Sequence, residues 1–140
     1  MRNRWGAVLA VCLALASPGL AVAAQACVCA RFSSAAEQLA RSDAVFRARV
    51  LKIERLGDGR AVTTFAVAEA LKGRLPRQVR VTHPVLGAPS CGITFRSGEI
   101  VTLAADRAED GSWSTGSCHL LQYRWDDFRR AVRARSAASW

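Results

Sequence analysis

The chain has 140 residues and a formal net charge of +9, which leaves room for one small domain and excludes a second core of any size. Eighteen of its twenty basic residues are arginines, and they are scattered along the sequence instead of forming a cluster. The positive charge therefore indicates solubility and composition bias more than a surface dedicated to an acidic partner.

The first 26 residues have the pattern of a secretory signal peptide. A basic n-region precedes an apolar run at residues 7–16, and the small residues of the AQA triplet at 24–26 fit the site that signal peptidase reads. A membrane anchor is one alternative, but the run is short for a bilayer and ends at a Ser-Pro pair. A lipoprotein acylated at Cys27 is another, and it fits the residues before the cut less well. We expect a mature chain of residues 27–140, exported to the periplasm or the exterior, with a net charge of +7.

Alternation of apolar and polar residues along the mature chain predicts five short strands flanked by two helices. In chain order these are a helix at 33–42, strands at 43–56, 60–71, 78–83, 99–106 and 112–118, and a helix at 125–135. Five short strands, the first of them bent, with a helix at either end are typical of a small antiparallel barrel of the OB type. The predicted fold is therefore mainly β, a single domain built on a five-stranded OB-like Greek-key barrel.

Particular residues support these elements. Ser34 and Glu37 have the spacing of a capping box at the start of the first helix. The apolar phase of the first strand shifts after Val50, which predicts a β-bulge. Asp126 and Asp127 lie in the first turn of the last helix, where they suit its dipole. The residues expected to face the barrel core are Phe46, Ala48, Val50, Phe65, Val67, Val79, Val81, Ile100 and Val101.

The mature chain keeps four cysteines, Cys27, Cys29, Cys91 and Cys118. An even number in a small exported domain predicts two disulfides. A bond between Cys27 and Cys29 would strain disulfide geometry, so each is expected to pair with Cys91 or Cys118, and two cross-pairings stay open. Each bond closes a loop of several dozen residues, worth roughly 4 kcal/mol. A four-thiolate zinc site, with His83 or His119 as a further ligand, is the alternative; the C-x-C spacing and export both argue against it.

No motif of a common enzyme class is present. The sequence has no H-E-x-x-H, G-x-S-x-G or P-loop pattern. His83, at a strand end before Pro84, fits a polar loop residue, and His119 is not expected to act as a ligand or base. We therefore expect a protein that is not an enzyme, with no cofactor and no intrinsic metal.

Several segments together resemble a netrin-like module. They are CVC at 27–29, SDAVFRARVLKIE at 42–54, TFAVAEALKG at 64–73, CGITFRSGEIVTLAA at 91–105 and WSTGSC at 113–118. In particular, residues 27 to about 120 resemble the N-terminal domain of the tissue inhibitors of metalloproteinases and their short bacterial relatives. The resemblance implies an OB-like barrel with flanking helices. It also implies one of the two cross-pairings, Cys27 with Cys91 and Cys29 with Cys118.

The resemblance further implies an inhibitory mechanism. In that family the free amine and the carbonyl oxygen of the terminal cysteine chelate the zinc of the protease and displace its catalytic water. Here Cys27 would be that residue, and Val28 would enter the S1′ pocket of a zinc metalloprotease. Catalytic zinc keeps one position open for water or substrate, and an α-amine that titrates near pH ~8 loses its proton at little cost.

Other classes of function stay open beside the inhibitor. Ala30 and Arg31 stand where the family commonly has a proline, and netrin-like modules also occur in proteins that inhibit nothing. The alternative is a non-inhibitory exported module for protein interaction. A single-strand binder would need aromatic side chains on a barrel face; the few candidates are explained as core, so no nucleic acid is expected. We expect a monomer without stable membrane insertion after signal cleavage.

Overall fold

Five strands and two helices make up the part of the chain that the computed structural model describes, residues 27–87 and 91–139. In chain order they are α1 Ala35–Arg41, β1 Ala44–Arg55, β2 Arg60–Lys72, β3 Gln78–Pro84, β4 Ile100–Arg107, β5 Trp113–Ser114 and α2 Trp125–Ala138, with a 3₁₀ turn at Ser117–His119. The predicted signal peptide, residues 1–26, lies outside the described residues.

The strands close into a barrel in the order β1-β2-β3-β5-β4, with β4 paired back to β1. Every neighbouring pair is antiparallel except β3 and β5. Strand β1 pairs with both β2 and β4, and its register against β2 shifts at three places, one of them between Val50 and Lys52. The extra residue there is Leu51, so the predicted bulge after Val50 is confirmed. The fold is mainly β, a five-stranded OB-like barrel with two helices, as predicted.

Aromatic rings fill the centre of the barrel. Phe65 of β2 meets the ring of Phe46 edge-on at 6.0 Å between centroids and the ring of Phe95 at 5.1 Å, and all three are buried. The predicted inward residues are buried or packed against this core, with one exception. Ile100 is 53% exposed, because side chains alternate along a strand and the inward phase of β4 is that of Val101 and Leu103.

Both helices cover one outer side of the barrel. A second apolar cluster joins the residues Ala35, Leu39, Val45, Ala104 and Phe128, with Trp125 and Val132 packed at its margin. Ser34 caps the start of helix α1, and its hydroxyl accepts from the amide of Glu37 at 3.1 Å. The Glu37 carboxylate accepts from the amide of Ser33 at 2.7 Å. The predicted helices are confirmed, and α2 continues to Ala138.

The last strand is shorter than predicted. Only Trp113 and Ser114 pair in the sheet, and the expectation of a strand through 112–118 is wrong. The chain leaves the ladder at Thr115, whose hydroxyl donates to the carbonyl of Ala104 at 2.8 Å. It then turns so that the amide of Ser117 donates to the carbonyl of Cys91 at 3.0 Å. This turn carries Cys118 to the same end of the barrel as Cys91.

Candidate functional site

Two disulfides attach the N-terminal segment of the described chain to one end of the barrel. Cys27 is bonded to Cys91, with 5.4 Å between their Cα atoms, and Cys29 to Cys118, with 5.1 Å. Cys91 lies in the loop before β4, and Cys118 in the 3₁₀ turn after β5. This is the cross-pairing that the netrin-like resemblance implies. Residue 28 is therefore held by a covalent crosslink on either side.

Glycines let the two anchoring loops approach each other. A Cβ on Gly92 would lie 2.0 Å from the carbonyl oxygen of Val85, so no larger residue fits without moving the backbone. A Cβ on Gly116 would lie 3.3 Å from the carbonyl oxygen of Cys91. The glycine of the C-G pair thus sets Cys91 against the end of β3, and Gly116 lets the turn with Cys118 pack beside it.

Two glutamine side chains add hydrogen bonds between the segment after Cys29 and the chain after Cys118. The amide of Gln122 accepts from the Phe32 backbone at 3.1 Å and donates to the Ala30 carbonyl at 2.8 Å. The buried Gln38 of α1 makes the same pair of bonds to the segment that carries Gln122. Its amide accepts from the Gln122 backbone at 3.0 Å and donates to the Leu120 carbonyl at 3.0 Å. Each primary amide makes the pair of bonds that a peptide group makes in a sheet.

The hydroxyl of Tyr123 adds a further bond, donating to the Phe32 carbonyl at 2.6 Å. Sequence reasoning missed Gln38, Gln122 and Tyr123. They lie 82 to 92 residues from the groups they bind, and no local pattern signals such pairs. Gln122 and Tyr123 bind residues 30 and 32 directly, and Gln38 holds the backbone of Gln122.

The side chain of Val28 projects into solvent from this segment, which is crosslinked on both sides of it. This side chain is 94% exposed, and it borders an open groove of ≈ 760 Å³ that residues 27–32 line together with Gln122 and Tyr123. An apolar side chain on a backbone fixed at both neighbours loses little conformational entropy when a partner encloses it. The arrangement therefore suits insertion of Val28 into an apolar pocket of another molecule.

The two histidines have different surroundings: His83 is buried in the barrel, and His119 is paired with a carboxylate at its surface. His83 is 2% exposed, so the expectation of a polar loop residue is wrong. It is the residue before the last of β3 and lies inside the barrel. Its ring packs edge-on against Phe95 at 4.9 Å and bonds to the hydroxyl of Thr63 at 2.8 Å. His119 donates from Nε2 to the carboxylate of Asp106 at 2.8 Å. Burial lowers the pKa of His83.

The aromatic residues considered for single-strand binding are taken up by the core. Phe46, Phe65 and Phe95 are buried, and Trp113 is half-buried with the guanidinium of Arg107 over its ring at 5.4 Å. Stacking of bases needs accessible ring faces, which the three phenylalanines do not offer.

No protein-family model matches the chain, and a search of curated proteins finds no match. Within residues 27–87 and 91–139, neither helix has the length and apolar character that a membrane crossing needs.

Proposed function

We propose that the chain is an exported inhibitor of zinc metalloproteases of the netrin-like class, acting through a mature N-terminus at Cys27. The observation that carries this proposal is the exposed Val28 between two disulfide-bonded cysteines. An inhibitor that occupies an active site must present a short segment without flexible ends, since ordering such a segment on binding costs affinity.

Cleavage after Ala26 would place a metal-binding group beside Val28. The amine nitrogen and carbonyl oxygen of Cys27 are separated by two bonded carbons, so both reach one metal ion in a five-membered chelate ring. Zinc in such proteases has three protein ligands and an open position, and the neutral amine would take the place of water there. The bond from Cys27 to Cys91 would hold the amine in position.

The side chain of Val28 would then supply specificity. Because Val28 follows directly on the chelating residue, its side chain would enter the protease pocket next to the metal. In the inhibitor family that this chain resembles, that pocket is S1′. The apolar branched shape of Val28 fills such a pocket without carrying a polar group that needs a partner. The same exposed valine also suits a non-inhibitory interaction module, which is the second candidate function; the two differ in whether the amine of Cys27 is required.

The first experiment isolates the amine. N-terminal sequencing of the exported protein should read Cys-Val-Cys, and the protein should inhibit a subset of a zinc metalloprotease panel that includes bacterial secreted enzymes. A variant with one alanine added before Cys27 turns the amine into an amide, a far poorer zinc ligand. We expect it to keep both disulfides and its melting temperature but to lose inhibition. Equal inhibition by the extended form, or none by the exported protein, would leave the interaction module as the function.

The second experiment isolates the side chain. Val28→Gly removes the group that fills the pocket and leaves the chelating atoms, so inhibition should weaken by roughly 1–3 kcal/mol. Leu56→Gly is the matched control, because Leu56 is also an exposed apolar residue, at the β1–β2 turn. Its inhibition constant should equal that of the unmodified protein. An equal loss in both variants would contradict a specific role for Val28.

A further inference from the structure

The sulfur atoms of the two disulfides form a single cluster. The Sγ atoms of Cys27, Cys91 and Cys118 lie within 4.8 Å of one another, and Cys29 is bonded to Cys118. The contact of 3.9 Å between Cys118 Sγ and Cys91 Sγ joins two different disulfides, so the bonds themselves do not account for it. Three sulfurs are thus gathered at one end of the barrel, and the fourth, that of Cys29, adjoins them through its bond to Cys118.

The spacing of the cluster matches that of a thiolate metal site. In a tetrahedral site with Zn–S bonds of 2.3 Å, neighbouring sulfurs are about 3.8 Å apart. The distance between Cys118 and Cys91 is already 3.9 Å. Breaking the two S–S bonds would let the remaining pairs separate to this spacing through side-chain rotation, with the barrel unchanged. Soft thiolate ligands select d¹⁰ ions such as Zn²⁺.

The cysteines are held near each other by contacts that do not depend on the disulfides. On one side, the amide of Ser117 donates to the Cys91 carbonyl at 3.0 Å. On the other side, Gln122 binds residues 30 and 32 through both ends of its amide. Cys27 is exposed and Cys91 and Cys118 are half-buried, so an ion has access from the groove. Reduction should therefore leave four thiols close together instead of dispersing them.

We propose that the reduced form of this cluster is a tetrathiolate site for one Zn²⁺ ion, with Cys27, Cys29, Cys91 and Cys118 as its ligands. A phosphine or dithiol reductant supplies two electrons to each disulfide and gives four thiols. Zn²⁺ then displaces their four protons and forms four Zn–S bonds, in a complex of charge −2. The oxidised and zinc-bound forms are alternatives selected by the reductant and metal around the protein. This site does not depend on the proposed inhibition or on signal cleavage.

The test uses Co²⁺ as a spectroscopic probe. The protein is reduced with a trialkylphosphine under anaerobic conditions and titrated with Co²⁺. Four thiolates should produce intense d–d and thiolate charge-transfer bands that saturate at one ion per chain and disappear when Zn²⁺ is added. Zn²⁺ should also raise the melting temperature of the reduced protein, because it binds the folded chain. A pale octahedral Co²⁺ spectrum, together with an unchanged melting temperature, would overturn the proposal.

Variants identify the ligands. Cys29→Ser and Cys118→Ser, each reduced, should weaken Co²⁺ binding by more than about 10-fold. His119→Asn is the control for a mixed site, since Nδ1 of His119 is buried without a hydrogen-bond partner among the described residues. It should leave the spectrum unchanged; a loss there would replace the four-thiolate assignment with three cysteines and a histidine. If both Ser variants bind as the unmodified protein does, no such site exists.

Discussion

At the scale of single residues, His83 is a base enclosed within the barrel. The Pro84 carbonyl can only accept, so Nδ1–H of His83 donates to it at 3.2 Å, and Nε2 accepts from the Thr63 hydroxyl at 2.8 Å. A second ring proton would remove the acceptor of that hydroxyl. Burial lowers the pKa of His83 below the ordinary value of 6.5, so the folded chain keeps the ring neutral where the unfolded chain protonates it.

This pKa shift predicts a loss of stability in acid. The contribution of His83 is fully present above the unfolded pKa of about 6.5, and it is lost as the pH falls from there through the lower pKa of the folded state. Urea unfolding at about pH 7.5 and about pH 5 should show a smaller decrease in His83→Asn than in the unmodified protein. Gln78→Asn, at an exposed and non-titrating position of β3, is the control and should keep the full decrease. Identical decreases in all three proteins would contradict the buried neutral histidine.

At the scale of elements, the side-chain amide of Gln122 binds both ends of segment 30–32. Gln122→Glu keeps the acceptor for the Phe32 amide but replaces the donor to the Ala30 carbonyl with a second acceptor. We expect a loss of about 0.5–1.5 kcal/mol. Hydrogen exchange at Phe32 should also become faster, because repulsion between the new carboxylate and the Ala30 carbonyl oxygen displaces the side chain from the Phe32 amide. Gln78→Glu, an exposed glutamine of β3, makes the same chemical change and should leave that exchange rate as it is. Unchanged exchange in Gln122→Glu would show that the disulfides alone order the segment.

Strand β2 offers a neighbouring pair of residues with opposite orientation. Phe65 is fully buried between two aromatic rings, whereas Thr64 is not part of the buried core. Phe65→Ala should lower the free energy of unfolding by about 3–5 kcal/mol, because it leaves a cavity in the barrel. Thr64→Ala should change it by less than about 0.5 kcal/mol. Chemical denaturation of both variants measures this, and a small loss for Phe65→Ala would contradict the aromatic core.

At the scale of the whole molecule, the two disulfides connect positions 64 and 89 residues apart. Replacing both Cys29 and Cys118 with serine removes the longer connection without leaving an unpaired thiol. We expect a loss of about 2–5 kcal/mol in thermal or urea unfolding under oxidising conditions. In reductant with a metal chelator the difference should vanish, since neither protein then has a crosslink. A difference that persists there would assign the loss to packing of the side chains.

The sequence by itself determined the features that depend on neighbouring residues. Alternation placed Phe65 and Val81 inside the barrel, the phase shift after Val50 indicated the bulge, and Ser34 with Glu37 marked the start of α1. The even number of cysteines predicted two disulfides, and the strain of a bond within C-x-C excluded a bond between Cys27 and Cys29. Each of these inferences rests on interactions that extend over a few residues or on covalent geometry, and so each can be read along the chain.

Only the tertiary structure decided where distant groups meet. Residues 30–32 lie about 90 residues from the Gln122 and Tyr123 that bind them, and His83 is buried because barrel closure encloses the end of β3 beside Phe95. The departure of Thr115 from the last strand depends on a carbonyl of β4, and the contact between the two disulfides depends on the turns that carry Cys91 and Cys118. Such contacts carry no periodic signal, because the closing of the barrel, and not the order of neighbouring residues, brings the two partners together.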